Sequence, residues 1–542
     1  MSKADKFIFR KTDTIGAADA EEDRVFLEKC FIDTGCVDVL RDCSDHRRII
    51  IGRTGAGKTA LLERLNAVED RVIIINPESL SLAYITNSTI LNFVSQLGVK
   101  LDIFFRLLWR HVFTVEIIKH YFNIQTEKDK RGFLSKIQDR FRDKKHQKAL
   151  EYLDEWGEKF WEKTEYRIKE VTTKLEQGLE GAIGQQVPFS ILQAKGKIDL
   201  TEEQKRDVIQ RAQSVVNDVQ IRQLSEILDL VNDILVDPQK RYYIIIDRLD
   251  EDWVEDAFRY RLIRALIETV KEFRKVENAK IIIAIRIDLL ERVFALTRDS
   301  GFQEEKFESL YLNLRWERKQ LIELLEKRIN LLIRPQYTKQ SVRHIDILPA
   351  SINKQKAIDY IIERTMMRPR DIILFFNTCI QEAVNRTNIT SQMIRNAEGE
   401  YSRLRLRSLF DEWFADYPNL IYFVDILKSR KKSFGLKDID TKTIEELCLS
   451  FIIKGVKSSD RLSCDAKDVV EERLNPADFR KTLISILYLV GVVGLKLGSY
   501  LKSEWTISGR RSISSVEISE DTTVSVHPMF WRVLGISLSD EG

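Results

Sequence analysis

No two cysteines in this 542-residue chain have the C-x-x-C spacing, and its six histidines are scattered. A structural zinc site needs clustered ligands, so none is expected. Cys30, Cys36, Cys43, Cys379, Cys448 and Cys464 read instead as reduced thiols of a cytosolic protein. A charge excess of either sign is also missing. With 87 Lys and Arg against 84 Asp and Glu, no global basic field points to nucleic acid, and any such surface must be local. Long uncharged apolar runs are absent too. The most apolar stretch, 103–118, contains Arg106, Arg110, His111 and Glu116, which rules against a membrane span. The start, Met1 to Asp5, has no apolar signal core, so a cytoplasmic location is expected. There is no internal repeat, no low-complexity tract, and no nuclease, protease or deaminase constellation.

What is present is 44% hydrophobic and 32% charged, the balance of a helix-rich globular chain. The length suits roughly three domains. Residues 52–59 read Gly-Arg-Thr-Gly-Ala-Gly-Lys-Thr, filling every position of the phosphate-binding pattern G-x-x-x-x-G-K-[ST]. In that pattern Gly52, Gly55 and Gly57 let the backbone turn its N–H groups inward, with Arg53, Thr54 and Ala56 completing the cradle. Lys58 brings a point charge to the β- and γ-phosphates of ATP, and the Thr59 hydroxyl ligates Mg2+. Both flanks fit. The β-branched run Ile49-Ile50-Ile51 precedes the loop, and the helix formers Ala60 to Leu65 follow it. The helix then presents its positive dipole end to the phosphates.

Further apolar runs at 71–76, 242–246, 280–285 and 311–314 complete five strands with helical connections, which predicts a mainly parallel sheet covered on both faces. A long, mostly helical segment fills 90–235, between the second and third strands. Its pieces have helical spacing at Ala149, Leu153, Trp156 and Phe160, and again at Val208, Ala212, Val215 and Val219 behind a capping box at Thr201. Tyr152, Trp156, Phe160, Trp161 and Tyr166 read as packing against a partner helix, among charges of mixed sign. Such an insertion leaves the phosphate pocket intact and supplies a surface for a partner protein or for self-association. Before the sheet, Val25, Leu27 and Phe31 predict a short amphipathic helix. After residue 320 come helices at 321–332, 358–365 and 371–383, then at 402–413, 418–428 and 477–490. Short strands at 492–496, 505–507 and 523–526 end the pattern, the outline of a winged helix. The expected architecture is α/β: a lead-in (1–45), a P-loop NTPase core (46–320) with its insertion, a helical lid (321–400) and a winged-helix-like domain (401–542).

Asp247 ends the strand 242–246, where a Mg2+-associated carboxylate belongs. Asp250 and Glu251 follow within reach of the same edge. One of them, with Glu251 preferred, polarises the water that attacks the γ-phosphate. Arg286 ends strand 280–285 and is placed to sense the γ-phosphate from between the two phosphate-binding elements.

The run Asp247-Arg248-Leu249-Asp250-Glu251 resembles the second motif of STAND and AAA+-type P-loop ATPases, and the strand ending in Arg286 resembles their sensor-1 strand. Met367-Arg368-Pro369-Arg370-Asp371 resembles the G-x-P-R opening of their lid helix, with Met in place of Gly. The resemblance implies that Arg370 contacts the nucleotide from the lid. It also implies an arginine finger, from Arg298 or Arg292, if the chain oligomerises. The lead-in Gly16 to Asp23, the insertion and the tail at His527 to Phe530 are similar to a poorly characterised bacterial group of such ATPases. One departure is the 189 positions from Lys58 to Asp247, far more than in compact relatives.

Two functions follow as expectations. The first is an ATP-driven switch or oligomerising regulator, which the STAND resemblance extends to anti-phage defence with a partner effector. The second is a DNA-associated ATPase that loads, remodels or partitions nucleic acid. Local basic runs, Arg403/Arg405/Arg407, Lys428/Arg430/Lys431/Lys432 and Arg510/Arg511, keep DNA open as a partner of the winged helix. The first three arginines cannot share one helix face.

Overall fold

The computed structural model describes residues 7–79, 101–124, 144–156, 229–251, 253–254, 256–298, 303–337, 341–455, 460–498, 500–506 and 513–537. The chain divides into two compact units.

The first unit, Asp33–Arg53 with Lys58–Leu314, is built on the expected sheet. Its strands are β1 (Ile49–Gly52), β2 (Val72–Ile75), β3 (Tyr242–Ile246), β4 (Ala279–Arg286) and β5 (Tyr311–Asn313). They are parallel, in the order β2-β3-β4-β1-β5. Every residue of β3 is buried, as are Ala279 to Ile285 of β4, which is why these strands read as continuous Ile and Tyr runs rather than alternating ones. The register sets the later chemistry: Gly52 pairs with Arg286, and Ile246 with Ile283, so the carboxyl ends of β1, β4 and β3 lie along one edge.

The longer described helices of this unit are α1 (Lys58–Val68), α2 (Asp102–Tyr121), α3 (Lys144–Trp156), α4 (Asp256–Glu272) and α5 (Ile287–Thr297). α2 belongs to the segment expected as an insertion that supplies a surface, yet it is a core helix. Phe105, Leu108, Trp109 and Phe113 join one apolar cluster with Ile244, Ile246, Ile281 and Leu266. Trp109 Nε1 donates to the Leu262 carbonyl of α4 at 2.9 Å, and Arg110 Nε donates to Glu272 at 2.8 Å. Ala149 and Leu153 are buried, and the Tyr152 hydroxyl meets His111 Nδ1 of α2 at 2.7 Å, so this aromatic packs on a partner helix as expected. The helix through Val208 to Val219, its capping box, and Phe160, Trp161 and Tyr166 lie outside the described residues, as does the side chain of Trp156. No described helix is long and apolar enough to cross a membrane.

The second unit joins Met1–Ile32, the loop tip Thr54–Gly57 and Arg315–Gly542. Its helices are α6 (Arg318–Tyr337), α7 (Ala357–Glu363), α8 (Pro369–Glu382), α9 (Ser391–Glu412), α10 (Thr441–Ile453), α11 (Arg461–Val470) and α12 (Pro476–Val490). α9 starts eleven residues before the expected 402, at a Thr390 cap, and runs unbroken through 400–401. The buried residues on both sides of that point share one core, from Phe9 and Ile329 through Phe376 and Tyr401 to Leu487 and Val524. The lead-in helix is present as Arg24–Cys30, but Val25 is exposed and Cys30 is the buried contact.

Near the carboxyl end a three-stranded antiparallel sheet has the order β8-β10-β9, from Ser433–Gly435, Thr523–Val526 and Val493–Lys496, after a small β6–β7 hairpin at 351–356. Of the strand expected at 505–507, residues 505 and 506 are not in a strand, and 507 lies outside the described residues. Glu504 makes one bridge to Leu495, while the Trp505 ring lies flat on Gly494, where an added Cβ would come within 2.5 Å of it. β8 supplies the third strand instead. α10 and α11 were not expected, although their capping signals stand in the sequence: Asp440 accepts from the Thr443 N–H at 2.7 Å and Asp460 from the Ser463 N–H at 3.1 Å.

Candidate phosphate-binding site

β1 brings the chain to the carboxyl edge of the sheet, and α1 begins at Lys58. Between them Gly55 and Gly57 have φ of +76° and +95°, conformations that side chains resist and that turn backbone N–H groups to one side. Within the sheet unit, Lys58 Nζ donates to the carbonyls of Gly52 at 3.1 Å and Arg53 at 3.2 Å. Burial pulls its pKa below the ordinary lysine value, against the opposing pull of Asp247 and Asp250.

Thr59 Oγ1 donates to Asp247 Oδ2 at 2.8 Å, joining residues 188 positions apart. The Arg248 N–H donates to the other carboxylate oxygen at 2.9 Å. Burial raises the Asp247 pKa, and these hydrogen bonds and Lys58 offset that only in part. A hydroxyl beside a carboxylate is the hard-oxygen donor pair that suits Mg2+, which keeps most of its waters and takes phosphate oxygens for the remainder. Arg248 itself sits at φ +59°, a strained turn for a non-glycine residue directly after the metal-type carboxylate.

Past that turn the two candidate bases differ in surroundings. Asp250 Oδ2 accepts from Arg286 Nη1 at 3.4 Å. Glu251 lies 3.7 Å from Arg248. Burial raises the Glu251 pKa, and Arg248 opposes it while Glu78, Asp250 and Asp247 reinforce it. Arg286 is held by a residue not singled out from sequence. Asp288 accepts from Arg286 Nε at 3.1 Å and from Nη2 at 2.8 Å. The signal was the i, i+2 spacing of Arg-Ile-Asp at the end of an apolar strand. Of the two arginine-finger candidates, Arg298 is exposed at the end of α5, and Arg292 donates to the Tyr260 hydroxyl at 3.3 Å.

In the helical unit the loop tip meets α8. The Arg370 side chain lies against Gly55 so closely that a Cβ there would sit 2.7 Å from Arg370 Cβ. Its Nε donates to the Ala18 carbonyl at 3.1 Å, and Asp19 lies 3.9 Å away. Burial lowers its pKa, with Asp19 opposing. Met367, standing where relatives of this motif carry Gly, has φ +51°, the backbone conformation a glycine would supply. Two more residues reach the loop tip without having been expected: Arg368 and Trp316.

Among the described residues, the basic runs do not assemble into one surface. Arg405 is buried, 3.1 Å from Asp371, while Arg403 and Arg407 face outward. Arg430 bonds the carbonyls of Ile426 and Asp438 and packs over Phe434. Lys428 pairs with Asp425 at 2.8 Å. Arg510 and Arg511 lie outside the described residues. α12, the helix before the β9–β10 pair, is covered along most of its length. Ser485 donates to the Ile513 carbonyl, and Arg480 bonds the Ile439 carbonyl and Glu520, while Asp478 is exposed and Lys481 half-buried beside it.

With that geometry in place, likenesses to known proteins can be set beside it. The model of the FunZ-associated C-terminal helical domain matches residues 319–410, which span α6 to most of α9. A putative transposon gamma-delta 80.3 kDa protein of Escherichia coli (strain K12) is 24% identical over 549 aligned residues, 98% of this chain and 68% of that protein. Among solved structures, the Walker-type ATPase PABY2304 of Pyrococcus abyssi is 11% identical, covers 97% of this chain and all of its own, and superposes with a TM-score of 0.36.

Proposed function

We propose that this chain binds MgATP in the loop Gly52–Thr59 and hydrolyses it, and that the nucleotide state sets a conformational switch. The observation that carries the reading is the meeting of Thr59 with Asp247 at 2.8 Å, beside Lys58, at the carboxyl edge of a parallel sheet. Lys58 leaves its own loop carbonyls to reach the β- and γ-phosphates. Thr59 and Asp247 hold Mg2+, which neutralises phosphate charge when bound. Glu251 positions and polarises the attacking water, because Asp250 is engaged by Arg286. Arg286, held rigid by Asp288, reads the γ-phosphate, and Arg370 reports from the helical unit.

α6 to α9 act as the lid and the carboxyl-terminal helices and sheet as a winged helix. The STAND resemblance extends the proposal to an oligomerising regulator of anti-phage defence with a partner effector, through the segment between β2 and β3. The second reading, a DNA-associated ATPase, has one specific support: the curated relative's name places that protein in a transposon. Against it stands α12, largely covered by its own chain and presenting Lys481 beside the more exposed Asp478, a poor face for a phosphate backbone.

The test is ATP turnover of the purified protein with and without duplex and single-stranded DNA, at two salt concentrations. Slow turnover indifferent to DNA is expected, and Lys58→Ala should lower it at least about a hundredfold through lost phosphate stabilisation. Turnover unaffected by Lys58→Ala would end the ATPase reading. Strong, salt-sensitive stimulation by DNA would replace the switch with the second reading.

A further inference from the structure

A loop that aims its N–H groups at a phosphate turns its carbonyls the other way, and buried carbonyls need donors. The helical unit supplies them. Arg368 Nη1 donates to the Thr54 carbonyl at 2.9 Å. Trp316 Nε1 donates to the Ala56 carbonyl at 2.8 Å, and its ring lies 3.8 Å from where a Cβ on Gly57 would stand. Between them the Arg370 backbone N–H points at the Gly55 carbonyl at 3.5 Å. Three consecutive outward carbonyls thus each face a donor from the same unit.

The donors are themselves fixed. Arg368 is buried, and its Nε and Nη2 bond Asp371 at 2.9 and 3.3 Å, which leaves Nη1 directed at the loop. Asp371 is held on its other side by Arg405 of α9 at 3.1 Å, and accepts the Met366 N–H at 2.9 Å. The left-handed turn at Met367 brings Arg368 round to the loop just before α8 begins at Pro369.

We infer that Trp316 and Arg368 are positioning residues of the phosphate loop: they staple its outward carbonyls and so preform the N–H cradle before nucleotide arrives. The inference rests on the ATP-binding reading above. Neither residue touches nucleotide. Each acts through the backbone it holds, and preorganisation of that kind strengthens binding without adding a ligand contact.

Trp316→Phe removes the donor N–H and trims the fused indole to one six-membered ring, so it keeps part of the packing but none of the staple. Arg368→Lys keeps a charge for Asp371 but lacks a second arm to span both Asp371 and Thr54. For each variant the experiment reads ATP affinity by titration, melting temperature, and hydrogen exchange of the 53–58 amides without nucleotide. A net hydrogen bond corresponds to roughly a two- to tenfold change. The expected result is weaker ATP binding by about that factor in each single variant, multiplied in the double, and faster exchange at 53–58, with a melting temperature for Trp316→Phe lowered only by the modest loss of packing. Wild-type affinity and wild-type loop exchange in Trp316→Phe would overturn the inference, as would a fall in melting temperature without any change at the loop. If wild-type protein binds no ATP, the functional reading fails by itself, and faster loop exchange in the variants still upholds the staple.

Discussion

The two units place their buried charges in opposite ways. In the sheet unit the strands are mostly isoleucine, and the ionisable groups they carry sit at their ends. Lys280, fully buried at the start of β4, donates to the carbonyls of Val39 and Asp42 at 2.7 Å each, while Lys58 and Asp247 occupy the far edge. In the helical unit carboxylates lie inside the core and each pairs with an arginine from another segment: Asp23 with Arg328, Asp371 with Arg405 as well as its neighbour Arg368, and Glu398 with Arg364. The difference has a backbone cause. Strands are aligned by hydrogen bonds to their neighbours, so their side chains can all be apolar. A helix spends its backbone bonds on itself, so its placement against another helix falls to side chains. Charge at the sheet's carboxyl edge is there for chemistry, and charge inside the helical unit is there for registration.

The sharpest way to break that contrast is Asp371→Ala. It leaves two buried guanidinium groups facing each other, at a cost of about 3–5 kcal/mol in denaturant unfolding. Burial works against the Asp371 carboxylate, but Arg368 and Arg405 outweigh it and hold the pKa at about 2. A depressed carboxylate pKa stabilises the fold above the ordinary value of 3.8, and the contribution is lost as pH falls toward 2. The wild-type chain should therefore lose stability steeply between those limits, and the variant should lose less there. A variant as stable as wild type would mean that packing alone registers α8 on α9.

Glu251→Gln probes the other side of the comparison. Turnover should fall at least about a hundredfold, with ATP still bound and the melting temperature within a degree or two. Unchanged turnover would move the water-positioning role to Asp250. Met367→Gly should have the smallest effect, under about 1 kcal/mol. Relief of the left-handed backbone and loss of the side chain's packing oppose one another. A loss above about 2 kcal/mol would show that the side chain, not the turn, is what this position provides.

Much of the sheet unit was legible because its signals are local. Five apolar runs became five strands within a residue or two, and the loop pattern fell between a strand and a helix as required. The carboxyl-terminal region was harder. β8 is a three-residue strand with no alternation to read, and Trp505, which has strand composition, lies with its ring against Gly494. Within the site, Asp288 stood two residues from Arg286 and could have been found. Trp316 and Arg368 could not, since nothing in their neighbourhoods names a loop some 260 and 310 positions earlier.

The sequence by itself determined the phosphate loop, the strands that flank it and the carboxylate at the end of β3, because each depends on residue type and spacing over a few positions. Only the tertiary structure decided strand order, which puts β4 between β1 and β3 and brings Arg286 beside Gly52. It also decided that α2 is core, that Arg405 is a buried partner rather than a surface cation, and which donors hold the loop's outward carbonyls. Those outcomes depend on which distant groups satisfy one another once water is excluded, and no local pattern encodes that.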